Sequence, residues 1–217
     1  NPFPPFLTST LQQEANNKLY MGTQQTMSIA QKLYEAGHIT YMRTDGIDMA
    51  PEAISATRSV IQKSFGEKYL PPKPRFYKNK VANAQEAHEC IRPTNIRNDA
   101  STLSLADENQ RKLYELIRNR TLASQMENEI SETTTVILAS NNGENKLKAS
   151  GRVIIFDGFR RVLNFKDVED QKSSDDKELP RLVERSETEI KSIKPEQHFT
   201  QAKPRYTEAS LVKKMED

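Results

Sequence analysis

Apolar residues recur at helical spacing over much of the first 126 positions and at every second position over parts of the remainder. Leu11, Ala15 and Leu19 fall at i, i+4 and i+8, one face of a helix. Ser9 and Thr10 stand where its N-cap belongs, Gln12 and Gln13 complete a capping-box pattern, and Gly22 is its expected stop. A second helix is predicted from about Thr23 to Gly37, with Met27, Ala30, Leu33 and Tyr34 on one side. His38 to Arg43 alternates as a strand does and runs into the turn residues Asp45-Gly46. Pro51 suits the first position of a third helix, with Ile54, Ile61 and Phe65 inward and Gly66 as its stop.

Residues 67 to 94 carry Pro71, Pro72, Pro74 and Pro93 and no sustained period, which predicts a surface-packed loop. A long helix is expected from near Ser104, with Leu113, Leu116, Ile117 and Met126 inward. After Ile130 the period changes to two. Thr133 to Ala139, Lys146 to Ala149, Arg152 to Phe156 and Arg160 to Phe165 read as strands, with Asn142-Gly143 and Asp157-Gly158 as turns. Lys166 to Glu178 reads as a solvated loop, Leu182 to Ile193 as one or two more strands, and Thr207 as the cap of a last helix with Leu211 and Met215. The pattern gives an α+β chain, a helical domain followed by a small antiparallel β domain.

Composition narrows the classes. The 217 residues are 35% hydrophobic and 29% charged, a polar but globular balance. One cysteine excludes a disulfide framework and a multi-thiolate metal site and fits a reducing compartment. No apolar run approaches the roughly 20 residues that span a bilayer, and no signal-like start is present, so no membrane partner is expected. The formal charge of +2 divides unevenly. Residues 1–126 hold 16 basic and 12 acidic side chains, and the rest hold 16 and 18. The chain opens at Asn1 without Met and closes at Asp217 inside a helical pattern, which leads us to expect a piece of something longer.

Two stretches carry chemistry. In Ile39-Thr40-Tyr41-Met42-Arg43-Thr44-Asp45, an extended backbone puts Tyr41 and Arg43 on one side. Forming a phenolate at pH 7 from a reference pKa near 10 costs about 4 kcal/mol. A neighbouring guanidinium offsets part of that cost and holds a phosphate by two hydrogen bonds. Tyr with Arg thus suits covalent attack on a phosphodiester, but taken alone the pair is a weak signal, and a half-buried strand tyrosine beside a solvated arginine is the plainer description. In Gln85 to Thr94, His88 and Arg92 lie four apart, one helical turn if that stretch is helical, and Pro93 stops any such helix. The plain alternative is a surface turn of mixed charge. His38 and His198 lack partners at metal-ligand spacing and read as surface residues, and Cys90 reads as structural or incidental.

With these words the sequence resembles the bacterial type IA DNA topoisomerases. The resemblance runs in collinear order through Pro5 to Gln13, Met27 to Asp45, Gln85 to Thr94, Ala149 to Arg152 with Phe156-Asp157-Gly158, Gln197 to Thr200, and Glu208 to Lys213. It implies that Tyr41 is the nucleophile that breaks one DNA strand and keeps its 5′ phosphate as a phosphotyrosyl ester, while Arg43 contacts that phosphate. It further implies that His88 binds the DNA backbone and that Gln31, Glu35 and Thr40 line the single-strand region leading to the tyrosine, with Arg92 and Asp45 in support. The ester conserves the bond energy, so no ATP is needed, and the passage of strands relaxes negative supercoils.

The same resemblance implies a toroidal, multi-domain, monomeric enzyme of the bacterial cytoplasm, associated with the nucleoid. Residues 1–127 would be its moving helical gate, for which a winged-helix-like arrangement is one option. Residues 128–204 would be a β-rich hinge or arch, and 205–217 the start of a further domain. The Mg2+ of the family belongs to a Toprim domain whose D-x-D word does not stand before Tyr41 here, so these residues are expected to bind no metal and to be inactive alone. Gly46 and Cys90 stand where many relatives have Ser and Ala. A non-catalytic module that grips single-stranded DNA is the alternative from a different class.

Overall fold

The computed structural model describes residues 1–77, 88–105, 107–140, 143–163, 179–180, 182–192 and 194–216. Its elements are α1 (Thr8–Leu19), α2 (Thr23–Glu35), α3 (Pro51–Phe65), α4 (Glu108–Ser124), β1 (Ile130–Ala139), β2 (Lys146–Phe156) and α5 (Glu208–Glu216), with short 3-10 turns at Glu67–Tyr69 and Gly158–Arg161. The α+β order predicted from the period change is the order found. Helix ends shift for local reasons. Leu7 precedes α1, and its N–H donates to the Thr10 hydroxyl at 3.1 Å, so Thr10 acts from inside the first turn. Tyr20, at φ 55°, ends α1 in the left-handed region, and Gly22 instead opens α2. α4 starts at Asp107, whose carboxylate accepts the Gln110 N–H at 2.8 Å, a turn later than Ser104 suggested. At the last helix Thr207 and Ser210 cap reciprocally, as the sequence implied.

Two cores hold the helices. In the first, Leu11, Leu33, Ile39, Ile91, Leu113 and Ile117 are each at most 1% exposed. Burying one such side chain stabilises by about 1.5–3 kcal/mol. This core joins α1, α2 and α4 to the two chemistry-bearing stretches. The second gathers Ile61, Tyr69, Leu122, Ala123, Met126 and Val162, with Phe156 and Phe159 against it. It therefore crosses the change of period near residue 127 and anchors the root of the sheet. A Tyr69 hydroxyl donating to Asp157 at 2.8 Å ties the same joint.

β1 and β2 form one antiparallel ribbon, from Ile130↔Phe156 to Ala139↔Lys146, with an irregularity at Ile130/Ser131. β2 runs unbroken through Ser150-Gly151, where two strands were expected. Gly158, at φ +50°, turns the chain at the ribbon's foot, and a Cβ there would strike the Asn128 carbonyl. Glu129 sits at the foot too, paired with Arg152 and, at 2.7 Å, with Arg160. Arg160 to Leu163 is therefore 3-10 and turn, not strand; Arg160 and Arg161 are held by Glu129 and Asp157 while Val162 enters the second core. The predicted loop 166–178 and residues 164–165 lie outside the described residues. Among the described residues of 182–193 there is no strand. α5 packs on α1 and reaches the start of α2: Ala209 donates to Asn16 Oδ1 at 3.3 Å and Gln13 donates to Glu216 at 3.1 Å, while Glu208 accepts the Thr23 N–H of α2 at 2.6 Å.

Candidate active site

The predicted strand His38–Arg43 is an extended segment without a ladder, because its hydrogen bonds go to two different neighbours. On one side, Ile39 bridges Pro93, Thr40 N–H donates to the Arg92 carbonyl at 2.9 Å, and Thr94 N–H donates to that of His38 at 3.0 Å. On the other, the Thr8 hydroxyl lies 2.9 Å from both the Met42 and Thr44 carbonyls and accepts the Thr44 N–H at 2.8 Å. From Tyr41 to Asp45 the period of two survives without the ladder: Met42 and Thr44 are buried, while Tyr41, Arg43 and Asp45 face solvent. Ile39, two before Tyr41, is buried instead, so the alternation does not reach back to it.

The second stretch is also not helical over 88–94; it is extended, with Glu89 bridging Asp48 and Ile91 bridging Phe6. Residues 85–87 of that stretch lie outside the described residues. Its approach to the first is close enough that Gly46 admits no side chain, since a Cβ would collide with the His88 carbonyl. Three separate stretches (5–8, 38–48 and 88–94) thus form one hydrogen-bonded knot.

A cleft of about 470 Å³ opens beside this knot, lined by Arg43, Asp45, His88, Thr8, Ser9 and Gln12, with Glu216 of α5 at its rim. His88 Nδ1 lies 4.0 Å from Asp45 Oδ1. The structure therefore brings Arg43 and His88 to one cavity. Ser9 Oγ is buried there with no partner among the described residues. Tyr41 emerges next to Arg43 on the same solvent side, 48% exposed, its ring edge-on to Tyr34 with centroids 5.2 Å apart. Tyr34, which the helical period groups with Leu33 on one side of α2, is 43% exposed while Leu33 is buried, and its ring meets Tyr41.

Other sequence-predicted residues are occupied elsewhere. Thr40 Oγ1 donates to the Cys90 carbonyl at 2.7 Å and accepts the Arg92 N–H at 3.0 Å. The Arg92 guanidinium holds Glu89 through a fork, closest at 2.8 Å, and donates to the Pro93 carbonyl at 3.0 Å. Glu89 in turn accepts the Ala50 N–H at 2.7 Å, which ties the knot to the start of α3. Gln31 donates to Glu35 at 2.8 Å along the exposed face of α2. His38 is half-buried with its ring near Tyr114, whereas His198 is exposed. Burial pushes the Cys90 thiol up to about 12, so it is an inert core residue. Thr8, Tyr34 and Glu89 are the positions that pattern reading missed as site residues.

The described residues contain no cluster of three or more His, Cys, Asp or Glu side chains able to hold a metal ion. Among them, too, no helix is long and apolar enough to cross a membrane.

A family model described as DNA topoisomerase matches residues 1–217. The chain is 51% identical to DNA topoisomerase 1 of Rickettsia conorii over 100% of its own length and 29% of that protein's. It is 43% identical to DNA topoisomerase 1 of Haemophilus influenzae over 99% of this chain and 24% of that one. Its fold matches full-length topoisomerase I from Thermotoga maritima with a TM-score of 0.77 at 38% identity, covering 99% of this chain and 35% of the other. The chain thus spans less than a third of the length of these two relatives.

Proposed function

The chain belongs to the bacterial type IA DNA topoisomerase family, and from that premise we propose that it carries the strand-breaking tyrosine of an ATP-independent enzyme that relaxes negatively supercoiled DNA. The observation that carries this reading is the emergence of Tyr41 and Arg43 on the solvent side of one pinned segment, with Arg43 and His88 lining one cleft. The Tyr41 phenol oxygen attacks a phosphodiester phosphorus of a single-stranded segment. A bond from phosphorus to the phenol oxygen forms, and the bond to the 3′ oxygen breaks. The phenol gives up its proton and the departing strand end gains one as a 3′-hydroxyl. One ester replaces another, so the reverse attack by that hydroxyl reseals the strand without ATP.

Arg43 steadies the negative charge that gathers on the phosphate oxygens. His88 contacts a neighbouring backbone phosphate, and Gln31 and Glu35 on the exposed face of α2 touch the strand as it approaches. Thr40 and Arg92 hold the tyrosine segment in place in this account: both are half-buried and bonded within the knot, whereas the Gln31–Glu35 pair lies on an exposed face and can exchange its bond for the strand. The helical residues 1–127 act as the gate and 128–204 as the hinge or arch, with 205–217 opening a further domain. The magnesium of the full-length enzyme is bound outside the described residues, in a Toprim domain, and the enzyme works as a monomer in the bacterial cytoplasm at the nucleoid.

The test uses a full-length enzyme containing this sequence. Tyr41→Phe is expected to abolish both the covalent DNA adduct and plasmid relaxation, with single-strand affinity within about threefold of the parent. Relaxation by the Phe variant overturns the assignment. A parent that binds oligonucleotides in a salt-sensitive way and never forms the adduct favours the non-catalytic binding module instead.

A further inference from the structure

We infer that Tyr34 is a positioning residue for Tyr41, fixing the ring of the nucleophile through an edge-to-face contact. The inference rests on the reading of Tyr41 as the nucleophile. The backbone around Tyr41 is pinned on both sides: Thr40 N–H donates to the Arg92 carbonyl at 2.9 Å, and the Thr8 hydroxyl donates to that of Met42 at 2.9 Å. Pinning the backbone leaves the two side-chain torsions of Tyr41 free, and the ring is 48% exposed. Among the described residues the Tyr41 hydroxyl makes no hydrogen bond, and the ring has one aromatic neighbour. That neighbour is Tyr34, with centroids 5.2 Å apart and planes inclined at 67°. This is the arrangement in which the positive edge of one ring meets the negative face of the other.

Tyr34 is suited to the task by where it stands. It lies in the last turn of α2, and its carbonyl accepts the Gly37 N–H at 2.8 Å in the turn that closes the helix. α2 is locked into the first core by Ile29, Ala30 and Leu33. A helix anchored in this way carries a side chain with less play than a loop does. An apolar core residue does not explain Tyr34, because it is 43% exposed. Its ring is turned outward onto the one side chain whose orientation decides in-line attack. Misplacing a reacting group by about 1 Å can cost on the order of 100-fold in rate. A single ring contact is worth far less than that, equivalent to about threefold to tenfold.

In a full-length enzyme containing this sequence, three variants are compared: Tyr34→Leu, Tyr34→Phe and, as a control, Tyr41→Phe. Leucine keeps helix propensity and bulk but removes the ring. Single-turnover formation of the covalent adduct on a single-stranded oligonucleotide is measured beside the Kd for the same oligonucleotide. Tyr34→Leu is expected to slow adduct formation by about threefold to tenfold with Kd within twofold and thermal stability unchanged. Tyr34→Phe, which keeps the ring, is expected to restore the rate to within twofold. The inference is overturned if the Leu variant cleaves at the parent rate, or if the Phe variant is as slow as the Leu variant. It is equally overturned if the Leu variant loses affinity in proportion to rate, since Tyr34 would then be a DNA contact. An adduct that persists in Tyr41→Phe overturns the nucleophile reading itself, an outcome distinct from the other three.

Discussion

In the helical region Leu33, Ile39, Ile91, Leu113 and Ile117 are enclosed on all sides, whereas in the ribbon Ile137, Leu147 and Ile155 each keep more than 60% of their surface in water. Both regions are regular, but each helix carries one apolar stripe, whereas Val136 to Ala139 and Val153 to Phe156 are unbroken apolar runs that put side chains on both faces of the ribbon. The difference lies in what covers them. Helices α1, α2 and α4 cover one another and enclose the extended stretches that bear Tyr41, Arg43 and His88. In the ribbon, Val136, Leu138, Leu147, Ala149 and Val153 share one face by register, and that face is largely open. The apolar pattern therefore reports which positions need cover and leaves open whether a partner is present. It also follows that the site is held by packing, while the ribbon is held by its ladder and by Glu129 at its foot.

The contrast can be broken by substitution, beginning with the core. Ile117→Ala in this chain should cost about 2–5 kcal/mol in chemical denaturation, the usual range for emptying a closed core position. A cost under 1 kcal/mol would mean that the helical core is not closed. Next comes Thr40→Val, which strands the Arg92 N–H and the Cys90 carbonyl and should cost about 1–3 kcal/mol. Amide exchange at Arg92 should quicken with it, and unchanged protection there would remove Thr40 from the knot. Tyr20→Gly acts in the opposite direction. Tyr20 holds φ 55° at the end of α1, and glycine there should stabilise by about 1 kcal/mol. Loss of stability would show that the Tyr20 ring contributes more than its backbone costs. Smallest of all, Ile155→Ser on the ribbon should stay within about 0.5 kcal/mol, and a cost matching that of Ile117→Ala would erase the contrast between the two regions.

Much of the helical region was legible because local signals coincide there: Pro51 and Gly66 bracket α3, Gly37 closes the turn after α2, and Thr207 with Ser210 caps α5. The side of Tyr41 and Arg43 was legible too, since a period of two needs only an extended backbone. The absence of a ladder was not, because it depends on Thr8 and Arg92, 36 residues before Thr44 and 52 after Thr40. Arg92 was read with His88 as one helical turn, and its bond to the Pro93 carbonyl and its fork on Glu89 show only in the folded chain. Tyr34 sits at the edge of the apolar stripe of α2, where the helical period does not decide between inward and outward. The second core escaped notice because Val162 and Phe159 return across the period change to meet Ile61 and Leu122.

The central claim is that Tyr41 is the atom donor of a covalent bond to DNA. A full-length enzyme containing this sequence is trapped on an oligonucleotide labelled on both sides of the cut, digested, and the DNA-bearing peptide identified by mass. The account predicts one modified residue, Tyr41, joined to the 5′ phosphate of the downstream strand, with a free 3′-hydroxyl on the other. A linkage to any other side chain, or to a 3′ phosphate, would contradict it.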